Sequence, residues 1–466
     1  MARTLFEKVW DTHVITSLAA GVDLLHIDRN MLHDLGGGES LSQLARDGRS
    51  VRNPELTLAT PDHIVETRQG RTGGIAPWAD EVIDKLCVLA KENSIPLYNV
   101  GELEHGIVHV MAPELGFVLP GTTIVCGDSH TCTLGAFGAV AFGIGSSEVV
   151  HVLATQTLPQ RRPKTMRVRF NGTLPHGIGA KDMSLALIRA IGTAGATGYA
   201  IEYVGEAVRG LDMEGRMTLC NLSIESGAKV GMIAPDETTF RWLEGRPQAP
   251  TGRAWEQAVS AWRELATDEH AKFDKDIVID CSTLAPYITW GTSPEQVIAV
   301  DQPIPQLDEA PTSVHRTEWG NALEYMGLKG GESLIGIRVD RVFIGSCSNS
   351  RLPDLRRAAQ IVAGKQVAAH VEAWVVPGSE RVKRAAEAEG LDTVFKKAGL
   401  QWREPGCSLC VGANGEVVAP GQRCVSTSNR NFTGRQGPGA RTHLASPEMA
   451  AAAAITGAIT DVRTLK

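Results

Sequence analysis

The stretch Ile344-Gly-Ser-Cys347-Ser-Asn-Ser-Arg351 places one cysteine in a turn of small residues directly after an apolar run. Two more cysteines follow much later, in Pro405-Gly-Cys407-Ser-Leu-Cys410. An apolar run that gives way to Gly and Ser is typical of a strand that enters a loop. The pattern therefore predicts an α/β domain whose loops bring the three thiols to one site.

The number of available ligands limits which metal or redox site these thiols can form. Cys407-x-x-Cys410 alone is compatible with a redox pair, with half of a zinc site or with chance. Zinc needs one or two further close ligands, and the sequence contains no second C-x-x-C and no nearby histidine pair. A thioredoxin-like pair normally follows the first strand of its domain, whereas this pair lies late in the chain. Three thiolates without an obvious fourth favour a [4Fe-4S] cluster with one open iron, and zinc or redox chemistry remains the alternative.

Composition sets the class of protein. The chain has 466 residues, of which 43% are hydrophobic and 21% charged, so it is long enough for two to four globular domains with full cores. A net charge of −7 and 5% aromatic residues argue against nucleic-acid binding. The N-terminus lacks an apolar signal core, and no apolar stretch approaches the roughly 18 residues of a membrane span, which predicts a cytoplasmic protein. Nine irregularly spaced cysteines fit reduced thiols.

The order of apolar runs and turn residues predicts several α/β units. The chain contains 49 glycines. They cluster where β-branched runs give way to small residues, as at the turns between strands and helices. The predicted strands are 106–111, 121–126, 166–172, 276–280, 339–344 and 371–376. The predicted helices are 80–92, 147–155, 180–191, 255–275, 354–363 and 379–388. Changes in the sequence pattern near 165 and 285 predict three domains, 1–165, 166–285 and 286–466. The three cysteines of the thiol site lie in the third.

Three stretches together resemble the signatures of the aconitase superfamily. They are the Cys347 stretch quoted above, Gly406-Cys-Ser-Leu-Cys410 and Ser428-Asn-Arg-Asn-Phe-Thr-Gly-Arg435. Further segments resemble the large subunits of its bacterial members that interconvert 2-isopropylmalate and 3-isopropylmalate in leucine biosynthesis. These segments are Thr289-Trp-Gly-Thr-Ser-Pro294, Gly127-Asp-Ser-His130 and Arg441-Thr-His-Leu-Ala-Ser-Pro. The resemblance spans essentially the whole chain.

The resemblance implies a fold and a reaction. The fold is α/β, with three aconitase-like α/β domains around a cleft and without the C-terminal swivel domain of single-chain members. The reaction is that of a hydro-lyase, which moves a hydroxyl between adjacent carbons by dehydration to 2-isopropylmaleate and rehydration. Another substituted malate, of the methylmalate/citraconate, homoaconitate or benzylmalate type, is the alternative substrate. A cluster-sensing RNA-binding regulator is the alternative of another class, and the acidic net charge argues against it.

The resemblance also implies a cofactor and its ligands. Cys347, Cys407 and Cys410 are expected to bind one [4Fe-4S] cluster per subunit, with one iron not bound by cysteine. Four other cysteines lie near the motifs without matching ligand positions, and we expect them to be buried small hydrophobes. They are Cys126, Cys132, Cys220 and Cys424.

Two Asp-His pairs are the candidate acid and base groups. In Asp62-His63 and in Asp128-Ser129-His130, a carboxylate beside an imidazole can fix its tautomer and keep it protonated. Taken singly, each histidine is equally consistent with a structural role. The resemblance assigns both pairs to departure of the hydroxyl, with Ser129 binding substrate. It places Glu225 near the bound hydroxyl or water, against the alternative of an ordinary polar helix face. His105 and His109 match no motif and are expected to be structural.

Arginines are the candidate ligands of the substrate carboxylates. A planar guanidinium can engage both oxygens of a carboxylate, and Arg430 and Arg435 flank Asn-Phe-Thr-Gly. Structural ion pairs on a loop are the alternative for each. The resemblance places Asn429 near the cluster and assigns Arg430 and Arg435 to substrate or catalytic groups.

The chain departs from the family pattern in three places. Single-chain members carry a Gly-Ser-Ser-Arg-Glu loop on the swivel domain, and nothing here matches it. The resemblance therefore implies a small partner subunit that supplies this domain, in a heterodimer or heterotetramer. Leu35-Gly-Gly-Gly-Glu-Ser40 replaces a Thr-Ser-Pro-Gln-like turn, and 64–74 differs from the family stretch, with Ile64 in place of an amide. Because loops carry specificity on a rigid scaffold, these two loops are expected to govern the choice of substrate.

Overall fold

A computed structural model describes residues 2–465, which form two compact units. Unit 1 takes in the described residues up to Val65 together with Thr72–Gly172 and Ala194–Ile279. Unit 2 takes in Glu66–Arg71, Thr173–Thr193 and the described residues from Asp280 onward. The division into three domains with boundaries near 165 and 285 stays a prediction.

The elements alternate between strands and helices along the chain. The strands are β1 Val14–Ala19, β2 Val22–His26, β3 Arg29–His33, β4 Thr57–Thr60, β5 Thr123–Cys126, β6 Val140–Gly143, β7 Thr157–Arg161, β8 Lys164–Asn171, β9 Tyr199–Val204, β10 Val230–Met232, β11 Lys275–Asp280, β12 Tyr287–Thr289, β13 Val297–Ala299, β14 Arg341–Ile344, β15 Glu372–Val375, β16 Gln401–Trp402, β17 Arg423–Ser426 and β18 Arg441–Leu444. The α-helices are α1 Leu5–His13, α2 Gly37–Arg46, α3 Pro77–Glu92, α4 Val108–Glu114, α5 Ser146–Thr155, α6 Ala180–Ile191, α7 Glu206–Arg209, α8 Met213–Asn221, α9 Glu237–Leu243, α10 Gly252–Arg263, α11 Ser313–Met326, α12 Leu352–Val362, α13 Glu380–Ala388, α14 Leu391–Ala398 and α15 Pro447–Thr456.

A four-stranded parallel sheet organises unit 1, in the order β4-β3-β5-β6. Asn30 on β3 pairs with Thr57 on one side and with Val125 on the other. β4 and β5 are buried at every position, as expected for strands with both faces covered. The chain leaves β3 toward β4 and later returns on the other side as β5. The carboxyl ends of β3 and β5 therefore border a topological switch point, where ligands bind in open parallel sheets.

Two further sheets complete unit 1. One has the order β10-β9-β8-β11, in which β9 pairs parallel with both β10 and β8. The other is antiparallel, in the order β1-β2-β7. Their apolar side chains share a buried cluster with the first sheet that includes Trp10, Leu25, Phe142 and Val230. This packing fixes the three sheets against one another within the unit.

A five-stranded parallel sheet organises unit 2, in the order β16-β15-β14-β17-β18. The chain leaves β14 toward β15 and β16, then crosses to the other side as β17 and β18, so β14 and β17 border the switch point. The alanine-rich α15 packs on α12 and β14, and its side chains from Ala450 to Ala454 are buried. β12 and β13 form a separate antiparallel pair. Both units are thus built on parallel sheets with helices, which confirms the α/β class.

Most predicted elements are present, and two predictions are wrong. The segment 106–111 is not a strand, because α4 begins at Val108, whose backbone N–H donates to the buried carboxylate of Asp62 at 2.9 Å. A carboxylate that accepts from the first turn stabilises a helix despite β-branched residues. The helix expected over 255–275 ends at Arg263. Beyond it, the Thr267 hydroxyl accepts from the Leu5 backbone at 2.7 Å, and Asp268 pairs with Lys8 at 2.6 Å, so this segment caps α1.

Within residues 2–465, every helix is too short or too polar to cross a membrane.

Close packing of backbone on backbone in unit 1 gives a stability prediction. A Cβ added to Gly135 would lie 1.8 Å from the Gly231 carbonyl oxygen. We expect Gly135→Ala to lower the free energy of unfolding by about 1–3 kcal/mol, because one strand or loop must shift. The measurement is the melting temperature by scanning calorimetry. Gly210→Ala is the control, because its Cβ would meet atoms only at 3.6 Å. Equal melting temperatures for the two variants would contradict the packing described.

Candidate functional site

Asp128 contacts three histidines of unit 1. It follows β5 and caps the 3₁₀ segment Ser129–Phe137, where it accepts from the His130 backbone N–H at 2.6 Å. Its carboxylate oxygens lie 3.0 Å from Nε2 of His63, 3.4 Å from Nε2 of His109 and 3.4 Å from Nδ1 of His130. Burial opposes ionisation, but His109, His130 and His63 together hold the pKa of Asp128 well below its ordinary value. One carboxylate therefore faces three imidazoles.

His63 is held between two carboxylates. Its Nδ1 lies 2.5 Å from Asp62, whose other oxygen accepts from the first turn of α4. Burial by itself would lower the pKa of His63, but Asp62 and Asp128 outweigh it and hold the pKa well above its ordinary value. Asp34 fixes the backbone by accepting from the N–H groups of His63 at 3.1 Å and of Ile64 at 2.8 Å. His63 is thus an oriented, protonated imidazole.

His130 is paired with Glu225. Nε2 of His130 lies 3.0 Å from the Glu225 carboxylate, which follows α8 in the 3₁₀ segment Leu222–Ser226. Burial lowers the pKa of His130, but Asp128 and Glu225 together raise it above its ordinary value. Half-buried Ser129 starts the 3₁₀ segment between Asp128 and His130. The structure therefore brings together the five predicted acid and base residues, which are Asp62, His63, Asp128, His130 and Glu225. Ser129, predicted to bind substrate, lies between Asp128 and His130 in the chain.

Sequence reasoning missed three residues of this cluster. His33 and Asp34 follow β3 at the switch point, and the ring of His33 lies 4.5 Å from that of His63, centroid to centroid. His109, expected to be structural, contacts Asp128, and burial keeps its pKa below the ordinary value. A His-Asp pair at the end of a buried strand was a usable signal for His33 and Asp34. His109 had none, because it was assigned to a strand that is a helix. His105 lies 2.8 Å from the Pro61 carbonyl oxygen.

The three candidate cluster cysteines lie in the loops of unit 2. Cys347 follows β14, and Cys407 and Cys410 follow β16, so all three lie beyond the carboxyl ends of parallel strands. All three lie outside any disulfide and are nearly buried, each with 6% of its surface exposed. Asn429, after β17, donates to Sγ of Cys347 at 3.2 Å, and the Ser346 hydroxyl lies 3.1 Å from Sγ of Cys410. Polar groups thus contact the sulfurs of Cys347 and Cys410.

Both cysteine loops contain a residue in an unusual backbone conformation. Ser346 and Ser408, each next to a candidate ligand, have φ of 75° and 47°. The left-handed region costs a non-glycine residue about 1–2 kcal/mol, so other contacts must hold these loops. The Ser346 hydroxyl donates to Asn429 at 3.0 Å, and the Ser408 hydroxyl donates to Glu416 at 2.5 Å.

Glu416 anchors the Cys407 loop through the Ser408 hydroxyl. It is nearly buried and pairs with Arg403 at 2.5 Å. Burial would raise its pKa, but Arg403 foremost keeps the pKa below its ordinary value. The Thr67 hydroxyl donates to Glu416 at 2.7 Å, and the Arg71 guanidinium donates to the Pro405 carbonyl oxygen. Part of the departing loop 64–74 therefore braces the cysteines.

The loop after β17 holds the candidate substrate ligands of unit 2. Arg435 donates from Nε to the Cys410 carbonyl oxygen at 3.0 Å. Because a guanidinium has five N–H donors, this bond leaves capacity for a carboxylate. Arg430 is half-buried and follows Asn429 directly. Buried Lys181 of α6, which the sequence did not single out, donates to the Ser428 carbonyl oxygen at 2.7 Å and holds the loop.

The donor set distinguishes a cluster from a single ion. In the described part of the chain, the one group of donor atoms that lie within 4.8 Å of one another is His33, Asp34, Asp62 and His63. The three thiols are spaced more widely than that. Four tetrahedral bonds of about 2.3 Å to one zinc ion would draw the sulfurs together, whereas a cluster of several irons needs ligands farther apart. Three buried thiols with this spacing therefore fit an iron-sulfur cluster better than zinc.

Comparison with known proteins identifies the family. The profile of the aconitase family (aconitate hydratase) matches residues 7–457. The chain belongs to the aconitase family. The 3-isopropylmalate dehydratase large subunit 1 of Bradyrhizobium diazoefficiens is 59% identical over 464 residues, which are 100% of this chain and 97% of that protein. The crystal structure of holo-form aconitase X from Thermococcus kodakaraensis has a TM-score of 0.46 at 13% identity, covering 88% of this chain and 84% of that one. Membership in the family implies a [4Fe-4S] cluster.

The contacts of Asp128 predict how the histidines titrate. Replacing Asp128 with Asn keeps the shape but removes the charge that raises the pKa of His63 and His130. We expect both pKa values to fall, which histidine-selective NMR titration measures. Because the wild-type pKa of His63 is raised, its protonation stabilises the fold fully below about pH 6.5, and this contribution is lost as the pH rises through the folded pKa. In Asp128→Asn, the free energy of unfolding should therefore decrease less as His63 deprotonates.

The matched control for this titration is Asp47→Asn, which removes an exposed carboxylate at the end of α2. It should leave the pKa of both histidines unchanged. If His63 and His130 titrate in Asp128→Asn as they do in the wild type, Asp128 does not set their protonation.

The buried pair Arg403–Glu416 predicts a second stability effect. Glu416→Ala leaves the Arg403 charge buried without its carboxylate, so we expect a loss of about 3–5 kcal/mol in the free energy of unfolding. Glu389→Ala is the control, because its partner Arg356 is exposed and such pairs contribute at most about 1 kcal/mol. Scanning calorimetry of both variants measures the difference. Similar melting temperatures would show that Glu416 does not anchor the loop.

Proposed function

We propose that this chain interconverts 2-isopropylmalate and 3-isopropylmalate by dehydration to 2-isopropylmaleate and rehydration, in leucine biosynthesis. The observation that carries the proposal is 59% identity, along the full length, to a 3-isopropylmalate dehydratase large subunit. Identity of this extent favours isopropylmalate over the methylmalate, homoaconitate and benzylmalate alternatives. Dehydration needs an acid, a base and groups that hold two carboxylates. The histidines and carboxylates around Asp128 in unit 1, and the arginines of the loop after β17 in unit 2, support a hydro-lyase because they can supply these groups.

The acid proposed for the departing hydroxyl is His63. Its protonated imidazole is oriented by Asp62 at 2.5 Å and charge-balanced by Asp128 at 3.0 Å. A proton given to the hydroxyl converts it from a poor leaving group to water. The two carboxylates then favour the return of a proton to the ring, which is what the reverse hydration requires. His63 therefore serves both directions.

The pair His130 and Glu225 is proposed to hold the hydroxyl or water that leaves and returns. The two side chains share a hydrogen bond of 3.0 Å in a nearly buried setting. Such a pair can donate to an oxygen from the imidazole and accept from it at the carboxylate. A water molecule held in this way stays available for rehydration at the neighbouring carbon.

The substrate carboxylates are assigned to Ser129, Asn429, Arg430 and Arg435. The arginines supply paired N–H donors that match a carboxylate, and the serine and asparagine supply single hydrogen bonds. Arg435 is oriented by the Cys410 carbonyl oxygen. We expect loss of either arginine to raise KM more than loss of Ser129.

Cys347, Cys407 and Cys410 are proposed to hold one [4Fe-4S] cluster per chain, with one iron not bound by cysteine. When bound, such a cluster supplies a Lewis-acidic iron that polarises the hydroxyl and a carboxylate of the substrate. Asn429 donates a hydrogen bond to Sγ of Cys347, and the Ser346 hydroxyl lies 3.1 Å from Sγ of Cys410. Glu416 fixes the Cys407 loop through the Ser408 hydroxyl.

The relative is named as a large subunit, and we propose that this chain likewise works with a small subunit in the cytoplasm. The small subunit would carry the swivel domain, in a heterodimer or heterotetramer. A serine of its Gly-Ser-Ser-Arg-Glu loop is the base expected to take the proton from carbon.

The function is tested by reconstitution. The chain, loaded with iron and sulfide without oxygen and mixed with a small subunit, should convert 2-isopropylmalate faster than methyl-, benzyl- or homocitrate-type malates. The absorbance of the unsaturated intermediate and chromatography of both isomers measure the rates. His63→Asn should lower kcat by about 100-fold or more, since general acid catalysis contributes 10²–10⁴-fold. Preference for another malate overturns the substrate, and full activity of the chain alone overturns the need for a partner.

The ligand assignment has its own test. Cys347→Ser, Cys407→Ser and Cys410→Ser should each lose most of the iron and sulfide counted after anaerobic loading, with loss of the visible absorption of the cluster. Cys87→Ser is the control, because this thiol lies on α3 and belongs to unit 1, whereas the three candidate ligands belong to unit 2. A full iron and sulfide count in Cys347→Ser would contradict its role as a ligand.

A further inference from the structure

Unit 1 contains a cavity of about 200 Å³ that is separate from the candidate acid and base residues. Its wall is formed by the end of β7, the start of β9, the strands β6 and β10, and α1. None of the residues predicted to act in catalysis or substrate binding lines it.

The floor of the cavity is apolar. Trp10, Phe142 and Val230 are nearly buried members of the unit 1 core and line it, together with half-buried Tyr199. These side chains offer aromatic rings and a branched aliphatic group within one concave surface. Such a floor binds the apolar body of a small molecule by removing its surface from water.

The rim of the cavity is cationic. Arg161 and Lys229 are exposed at its edge, and Lys229 lies 5.9 Å from the centre of the Phe142 ring. Arg162, also on the rim, pairs with Asp11 at 2.8 Å. Over residues 2–465, no carboxylate lies within 4 Å of the charged groups of Arg161 or Lys229. Two cations without a counterion therefore stand over an apolar floor.

We propose that this cavity binds a small organic anion with an apolar body, such as a carboxylate or sulfonate on an aromatic or branched aliphatic group. The floor takes the body, and Arg161 and Lys229 bind the anionic end. A neutral molecule of the same shape loses the charge-assisted hydrogen bonds and binds more weakly. An inorganic anion lacks the body and gains nothing from the floor.

The two strands of the floor also contact the candidate site with their opposite faces. Phe142 faces the cavity, whereas its neighbour Gly143 backs onto Asp128 and Ser129, since a Cβ there would lie 2.6 Å from the Asp128 carbonyl oxygen. Val230 faces the cavity, whereas Gly231 packs against Ser223, two residues before Glu225. A ligand that shifts either strand therefore shifts the backbone that carries Asp128 or Glu225.

Calorimetric titration of the full chain with naphthalene-1-sulfonate tests the site. The neutral counterpart is naphthalene-1-methanol, which has the same rings without the charge. We expect one bound sulfonate per chain and binding of the alcohol weaker by about tenfold or more. The double variant Arg161→Gln, Lys229→Gln should weaken sulfonate binding by a similar factor and leave binding of the alcohol unchanged.

The matched control is Arg49→Gln, Lys91→Gln, which removes the same two charges from exposed positions of unit 1. It should bind the sulfonate like the wild type. Equal affinity of the wild type for sulfonate and alcohol, or wild-type affinity of the Arg161, Lys229 variant for the sulfonate, overturns the site. Melting curves of both double variants establish that each is folded.

Coupling to the candidate site is read by histidine-selective NMR of the same samples. Saturation with the sulfonate should shift the signals of His130 and His63 in the wild type and in the Arg49, Lys91 control. The signals of the Arg161, Lys229 variant should stay in place at the same sulfonate concentration. Binding without any shift of these signals overturns the coupling through β6 and β10, while the titration decides the site itself.

Discussion

Parallel strands place their carboxyl ends along one edge of a sheet, and both units depend on this constraint. In unit 1, the switch point between β3 and β5 brings His33 and Asp34 beside His63, which follows β4 and contacts Asp128. In unit 2, the switch point between β14 and β17 brings Cys347 beside Asn429. Residues that are far apart in sequence become neighbours because the chain reverses its direction of winding at those points.

Buried charge then determines the detail of each loop. A carboxylate removed from water must be paired, and Asp128 satisfies this with three imidazoles while Glu416 does so with Arg403, Thr67 and Ser408. The same contacts orient the side chains to which the proposed chemistry is assigned. In the Cys407 loop they also offset the left-handed backbone of Ser408. Stability and the proposed function therefore depend on the same hydrogen bonds in both units.

The departing loop 64–74 has two parts with different surroundings. Ile64, which stands where the family has an amide, is fully buried, and its N–H binds Asp34. Residues 66–71 belong to unit 2, where Thr67 and Arg71 hold the Cys407 loop through Glu416 and Pro405. The prediction that this loop governs the substrate stays a prediction. Its contacts give it a supporting role in addition, because it fixes the backbone beside two candidate ligands.

The sequence by itself determined the α/β class, most of the elements, the family and the residue types of both clusters, because these follow from local periodicity and from motifs of contiguous residues. Only the tertiary structure decided that His109 joins Asp128, that 106–111 begins a helix on Asp62, and that Lys181, Thr67 and Glu416 support the loops of Asn429 and Cys407. Those contacts join segments up to 349 residues apart. No local pattern records them, since they arise from strand order and from the pairing of buried charge.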